Sequence, residues 1–140
     1  MSVASGRAVV KYPGAKWRIA DWIISKMPQH KSYLEPFFGS GAIFFKKSPA
    51  PIETINDIDS EIYNLFTTIR NYPEELCRQI EMTPFSRQEY FAAFNPGGDE
   101  IERARKYLVK CWQGHGFRIC YKSGWKNDIA GREKAYAVKY

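Results

Sequence analysis

Apolar and polar positions along the chain alternate between helical spacing and short strand-like runs. From Lys16 to Met27, the residues Trp17, Ala20, Ile23, Ile24 and Met27 recur at helical spacing, and Pro28 closes the segment. Tyr33-Leu34 reads as a short strand that delivers a glycine turn, Glu35-Pro36-Phe37-Phe38-Gly39-Ser40-Gly41. Ala42-Ile43-Phe44-Phe45 then begins a helix. Glu53 to Asp57 reads as a second strand ending in a carboxylate, and Asp59 or Ser60 can cap a helix carrying Ile62, Leu65, Phe66 and Ile69 on one face. This alternation predicts an α/β fold with parallel strands.

The pattern beyond residue 70 is helical. Pro73 starts a helix with Leu76 and Ile80 on one side. Ser86 and Glu89 have capping-box spacing, with Phe85 and Tyr90 placed for a hydrophobic staple. Asn95-Pro96-Gly97-Gly98 interrupts the chain before a longer amphipathic helix from Glu100 to about Gln113. Past Gln113 the periodicity stops, and glycines alternate with His115, Phe117, Arg118, Tyr121, Lys122, Trp125 and Lys126. Residues 132–140 read as a helix that has only begun, so the chain is expected to stop inside an element.

Two glycines around a small hydroxyl residue let a backbone approach a ligand closely and leave amide N–H groups at a helix start. A tight turn with no ligand has the same signature. The net charge of +6 fits an anionic partner, and equally an ordinary basic surface with solvated lysines. Basic groups for phosphates and aromatics for bases on irregular backbone suit a nucleic-acid surface after Gln113, as they suit a plain exposed loop. Cys77, Cys111 and Cys120 have no CxxC spacing and read as reduced, mostly buried thiols of a cytoplasmic protein. With His115, the last two lack a fourth ligand and a zinc-site spacing. No signal-type run and no membrane-spanning stretch is present in the sequence.

Three segments stand in order: Lys11-Tyr12-Pro13-Gly14-Ala15-Lys16, the Glu35–Gly41 turn, and Asn56-Asp57-Ile58-Asp59. Together they resemble the N-terminal half of the Dam-like, D12-class adenine-specific DNA methyltransferases. Lys110-Cys111-Trp112-Gln113 followed by Gly114-His115-Gly116-Phe117-Arg118 resembles the start of that family's target-recognition region. Gly124 to Glu133 is similar to its phage and prophage members. The resemblance implies a partial Rossmann-like S-adenosylmethionine-dependent fold, with a helical target-recognition insertion begun but incomplete. Residues 1–70 would form the cofactor-binding portion and 71–140 the basic, target-recognition portion.

The implied cofactor residues are Tyr12, Lys16, Glu35, Pro36, Phe37, Gly39, Ser40, Gly41 and Asp57. Acids placed about twenty residues beyond a glycine turn accept ribose hydroxyls in dinucleotide folds, and Asp57 has that position. Lys16 would meet the methionine carboxylate and Tyr12 would pack on the cofactor. Of Phe37 and Phe38, one lines the cleft and the other joins the core. The implied partner is double-stranded DNA, with His115, Arg118, Lys122 and Lys126 as candidate contacts. Tyr12 stands where tryptophan is frequent in the family, Ala15 where glycine or serine is frequent, and Glu35 where aspartate is commoner.

Family members transfer the methyl group with a later Asp-Pro-Pro-Tyr motif acting on a flipped adenine. This sequence has eight prolines and none is adjacent to another. The 140 residues are therefore expected to be inactive alone, and to present an open sheet edge that self-associates or meets a partner. A non-enzymatic DNA-binding or regulatory module, and one half of a split methyltransferase whose partner chain carries the catalytic motif, are the competing readings.

Overall fold

A computed structural model of the protein describes residues 8–117 and 119–126. Contacts divide the chain into two units, one up to Asp59 and one from Ser60 onward.

In the first unit, α1 (Ala20–Ser25) precedes β1 (Ser32–Glu35), α2 (Ala42–Lys46) and β2 (Ile52–Ile55). The strands pair in parallel, with Ser32 opposite Ile52 and Glu35 opposite Ile55. Pairing continues past the strand ends, where Asn56 N–H donates to Glu35 O (2.9 Å) and Phe38 N–H to Asn56 O (2.9 Å). Val10, Ala20, Phe38, Ala42 and Ile43 form the buried core. Phe38, Phe44 and Phe45 meet one another edge to face at ring separations of 5.3–5.9 Å, a favoured geometry for aromatic quadrupoles. Lys47 is buried because Glu53 pairs with its ammonium and the Tyr33 ring lies 4.3 Å below it. Along the strands, Leu34 and Ile52 share one face and remain more than half exposed.

The second unit is helical: α3 (Ser60–Asn71), α4 (Pro73–Glu81), α5 (Arg87–Ala92) and α6 (Glu100–Gln113), followed by a 3₁₀ turn over His115–Phe117. α3 packs here among the helices, whereas the sequence reading groups it with the cofactor portion. Pro73 occupies the first turn of α4, where its missing N–H costs nothing. Ser86 Oγ caps α5 by accepting from Glu89 N–H, and Asp99 caps α6 by accepting from Glu102 N–H. α3 crosses α6 with buried polar partners: Asn64 Nδ2 (2.9 Å) and Thr68 Oγ1 (3.2 Å) both donate to Glu100 O.

The Glu89 carboxylate accepts from Arg105 Nη1. Arg105 also grips Glu102 bidentately (2.6 and 2.8 Å) and donates to Thr83 Oγ1 (3.1 Å). Arg105→Met is expected to cost about 2 kcal/mol in chemical denaturation. That is less than the 3–5 kcal/mol of a fully buried pair, since Glu102 keeps a third of its surface in water. Arg105 holds the Glu102 carboxyl below its ordinary value of 4.5. In that window the unfolded chain binds more protons, so this contribution is full above pH 4.5 and fades as pH falls through the lowered value. The acid limb of the stability curve should be shallower in Arg105→Met.

Among the described residues no helix is long and apolar enough to cross a membrane. The expectation of mostly buried thiols is corrected: Cys111 is buried, but Cys77 and Cys120 are exposed. The helix expected over Lys16–Met27 is confined to Ala20–Ser25, for a reason that lies in the site. The stretch expected to begin a helix at residue 132 lies outside the described residues.

Candidate functional site

The Lys11–Lys16 turn closes with Ala15 N–H donating to Tyr12 O (3.1 Å). It is held against the glycine turn in two places. The Tyr12 ring fills the side-chain space over Gly39, 2.9 Å from where a Cβ would stand. Trp17 Nε1 donates to Ser40 Oγ at 3.0 Å. Trp17 therefore serves the turn instead of continuing the helix, which is why α1 begins later than its apolar spacing predicts.

Gly39 (φ +51°) and Gly41 (φ +65°) both occupy the left-handed region, which glycine enters without a Cβ penalty. Two amides of this turn are engaged locally. Gly41 N–H donates to Phe38 O (2.8 Å), and Gly39 N–H donates to Asp57 Oδ2 (2.7 Å). With only five residues behind it, α2 adds little dipole.

Asp57 is the joint of the site. Its Oδ2 takes the Gly39 amide and its Oδ1 takes the Asp59 amide (3.0 Å), so the carboxylate has one fixed orientation at the end of β2. An ionised carboxylate offers about four lone-pair sites, and these two bonds leave acceptor capacity for a ligand. Phe37 is 85% exposed and Phe38 only 5%, which divides the pair into a surface ring and a core ring. Pro36 is exposed, and its carbonyl accepts from Asn56 Nδ2 (3.3 Å). Ile58, beside Asp57, is almost fully exposed.

Glu35 is half-buried. Burial pushes its carboxyl up, while the Tyr33 hydroxyl (2.8 Å), the Phe44 N–H and the charges of Lys16 and Lys47 pull it down. Burial and the neighbouring Glu35 push the Tyr33 phenol up in turn. Lys16 is exposed and donates to Gly14 O (3.3 Å). The structure thus brings Tyr12, Gly39, Ser40 and Asp57 into direct contact through the turn, with Lys16 electrostatically close to Glu35.

The candidate DNA residues belong to the second unit. Gly114 and Trp125 form an antiparallel bridge, with His115 N–H donating to Gly124 O (2.9 Å) and Lys126 N–H to Gln113 O (2.8 Å). What reads as irregular backbone is thus a closed loop. It carries His115, Lys122 and Lys126, of which His115 and Lys122 are exposed. Arg118 lies outside the described residues.

Residues 12–137 match the D12 class N6 adenine-specific DNA methyltransferases. The chain belongs to that family. Among curated relatives, it is 29% identical to a DNA adenine methylase of Haemophilus influenzae over 96% of this chain and 49% of that protein. It is 35% identical to the type II methyltransferase M1.LlaDCHI of Lactococcus lactis subsp. cremoris, over 53% of this chain and 26% of the relative. A DNA N-6-adenine-methyltransferase of Escherichia phage P1 matches at 27% over 77% of this chain and 16% of its own length. The chain thus spans half or less of these relatives.

Two contributors to this family member's candidate site escape sequence reading. Trp17 sits in register with a helix face, so its spacing points to the core and not to Ser40. Asn56 precedes the acid and ties β2 to Pro36, a contact that depends on strand register.

Proposed function

We propose that the segment up to Asp59 holds S-adenosylmethionine and that the loop from Gly114 to Lys126 contacts double-stranded DNA, in the service of methyl transfer to adenine N6. One observation carries the cofactor reading: the Asp57 carboxylate is bonded to the Gly39 amide, which joins the glycine turn and the end of β2 in one rigid corner. The free lone pairs of Asp57 would accept ribose hydroxyls, each charge-assisted bond contributing about 1.5–3 kcal/mol. Phe37 and Ile58, both exposed apolar surfaces beside that corner, would flank the adenine. Lys16 would meet the methionine carboxylate near Glu35, and Tyr12 would hold the turn against it. The sheet and helices of this unit would then form part of a Rossmann-like fold, and the helices after residue 70 part of a target-recognition portion.

The sequence holds no Pro-Pro pair, so the residues that direct a methyl group onto a flipped base would come from elsewhere, such as a partner chain. A cytoplasmic setting, where both DNA and the methyl donor are found, goes with this reading. Calorimetric titration of the 140-residue chain with S-adenosylmethionine tests it. Saturable binding at one site per chain is expected, without methylation of an adenine-containing duplex. Absence of donor binding, with salt-sensitive duplex binding intact, would favour a DNA-binding module instead.

A further inference from the structure

Among the described residues, the Gly114–Lys126 loop is held at three points by α5 and the residue before its cap. The Trp125 ring lies 5.5 Å from Phe85, and the Lys122 ammonium 5.7 Å from the Phe91 ring. Between them, the Tyr90 hydroxyl meets Ser123 twice, at the backbone N–H (3.2 Å) and at Oγ (3.3 Å). Tyr90 is wholly buried, and its phenol also fills the side-chain space at Gly114.

The protons resolve the direction of each bond. Ser123 has one hydroxyl proton, and it is directed to His115 O at 2.7 Å. The phenol therefore donates its proton to Ser123 Oγ and accepts the Ser123 N–H. A buried hydroxyl that both donates and accepts is fully satisfied, and here both bonds go to the middle of one loop. Hydrophobic packing of Tyr90 needs only the ring, which Phe94 (5.3 Å) and Phe91 (5.3 Å) already enclose. The hydroxyl is surplus to the core. Its partners all lie in the loop that carries His115, Lys122 and Lys126.

We propose that Tyr90 is a positioning residue for DNA recognition: its hydroxyl fixes the loop so that the basic side chains meet successive phosphates without first being ordered. This rests on the reading of the loop as a DNA-contacting surface. A preorganised loop binds more tightly because less chain entropy is lost on docking.

The test compares the full chain with Tyr90→Phe, which keeps the ring, and with Ser123→Ala, which keeps the backbone N–H bonded to the phenol. Amide hydrogen exchange and duplex affinity across a salt series are measured for each. In Tyr90→Phe, exchange at Ser123 and Gly124 should rise at least tenfold, duplex affinity should fall at least tenfold, and the dependence of log affinity on log salt should flatten by about one to two phosphate contacts. Ser123→Ala should show the same changes to a smaller extent. S-adenosylmethionine affinity should stay the same in both.

Faster exchange with unchanged affinity and salt slope would overturn the proposal, because the loop would then not need its tether. Unchanged exchange would overturn it as well. If the unsubstituted chain binds no duplex under any salt condition, the DNA reading itself fails and the proposal falls with it, an outcome distinct from the other two.

Discussion

Asp57→Ala is expected to abolish S-adenosylmethionine binding in calorimetry, weakening it by at least a hundredfold. Two charge-assisted bonds to ribose hydroxyls at about 1.5–3 kcal/mol each account for that loss, since every 1.4 kcal/mol is tenfold. Asp57 also supports the fold by accepting the Gly39 and Asp59 amides, so Ala removes a structural joint along with the ligand contact. Asp57→Asn separates the two roles. Its single carbonyl oxygen can still take the Gly39 amide, but its Nδ2 cannot accept the Asp59 amide, and the negative charge is gone. The expected result is a smaller loss of stability than in Asp57→Ala, with donor affinity at least tenfold weaker than that of the unsubstituted chain. Equal losses of stability and binding in both variants would mean that Asp57 is only a joint.

Gly41→Ala should be the most destabilising small substitution in the first unit. Its φ of +65° would cost an L-residue about 1–2 kcal/mol. The new Cβ would also stand 2.6 Å from both Phe38 Cζ and Phe45 Cε2. Those rings are braced edge to face against one another and against Phe44, so relief means moving a packed cluster, at about 1–3 kcal/mol. A total of about 3 kcal/mol is a large share of the 5–15 kcal/mol that stabilises an ordinary domain. Thermal unfolding followed by near-ultraviolet circular dichroism should show the aromatic signal lost roughly 10 °C earlier, at a few degrees per kcal/mol for a chain of this size. Donor binding should weaken with it, because the turn that carries Gly39 is part of the same cluster.

How far these features can be read from sequence depends on how local their causes are. The boundaries of α4 and α6 follow from Pro73, Asn95–Gly98 and Asp99, residues that act on their own backbone. The Ser86 cap is local too, and it forms. The carboxylate of Glu89 instead goes to Arg105, a partner from another helix that spacing within α5 cannot reveal. Trp17 fails as a helix marker for the same reason, because its indole is claimed by Ser40 from a distant turn. Choosing between Phe37 and Phe38 required knowing which way the chain leaves β1, and identifying Tyr90 as a loop tether required the fold of residues 114–126. The three family segments were legible because their order along the chain survives without geometry. The bond that unites two of them, Gly39 to Asp57, was not.

The most direct test of the central claim, that the corner formed by the glycine turn and Asp57 receives the methyl donor, is a two-dimensional amide spectrum of the chain titrated with S-adenosylmethionine. Shifts are predicted to concentrate at Tyr12, Lys16, Glu35, Gly39–Gly41 and Asp57–Asp59, with the Gly39 amide among the largest because its acceptor is the carboxylate that takes the ribose. Residues of α6 should not move. Saturating donor that leaves the Gly39 and Asp57 amides in place, or moves only residues 114–126, would contradict the account.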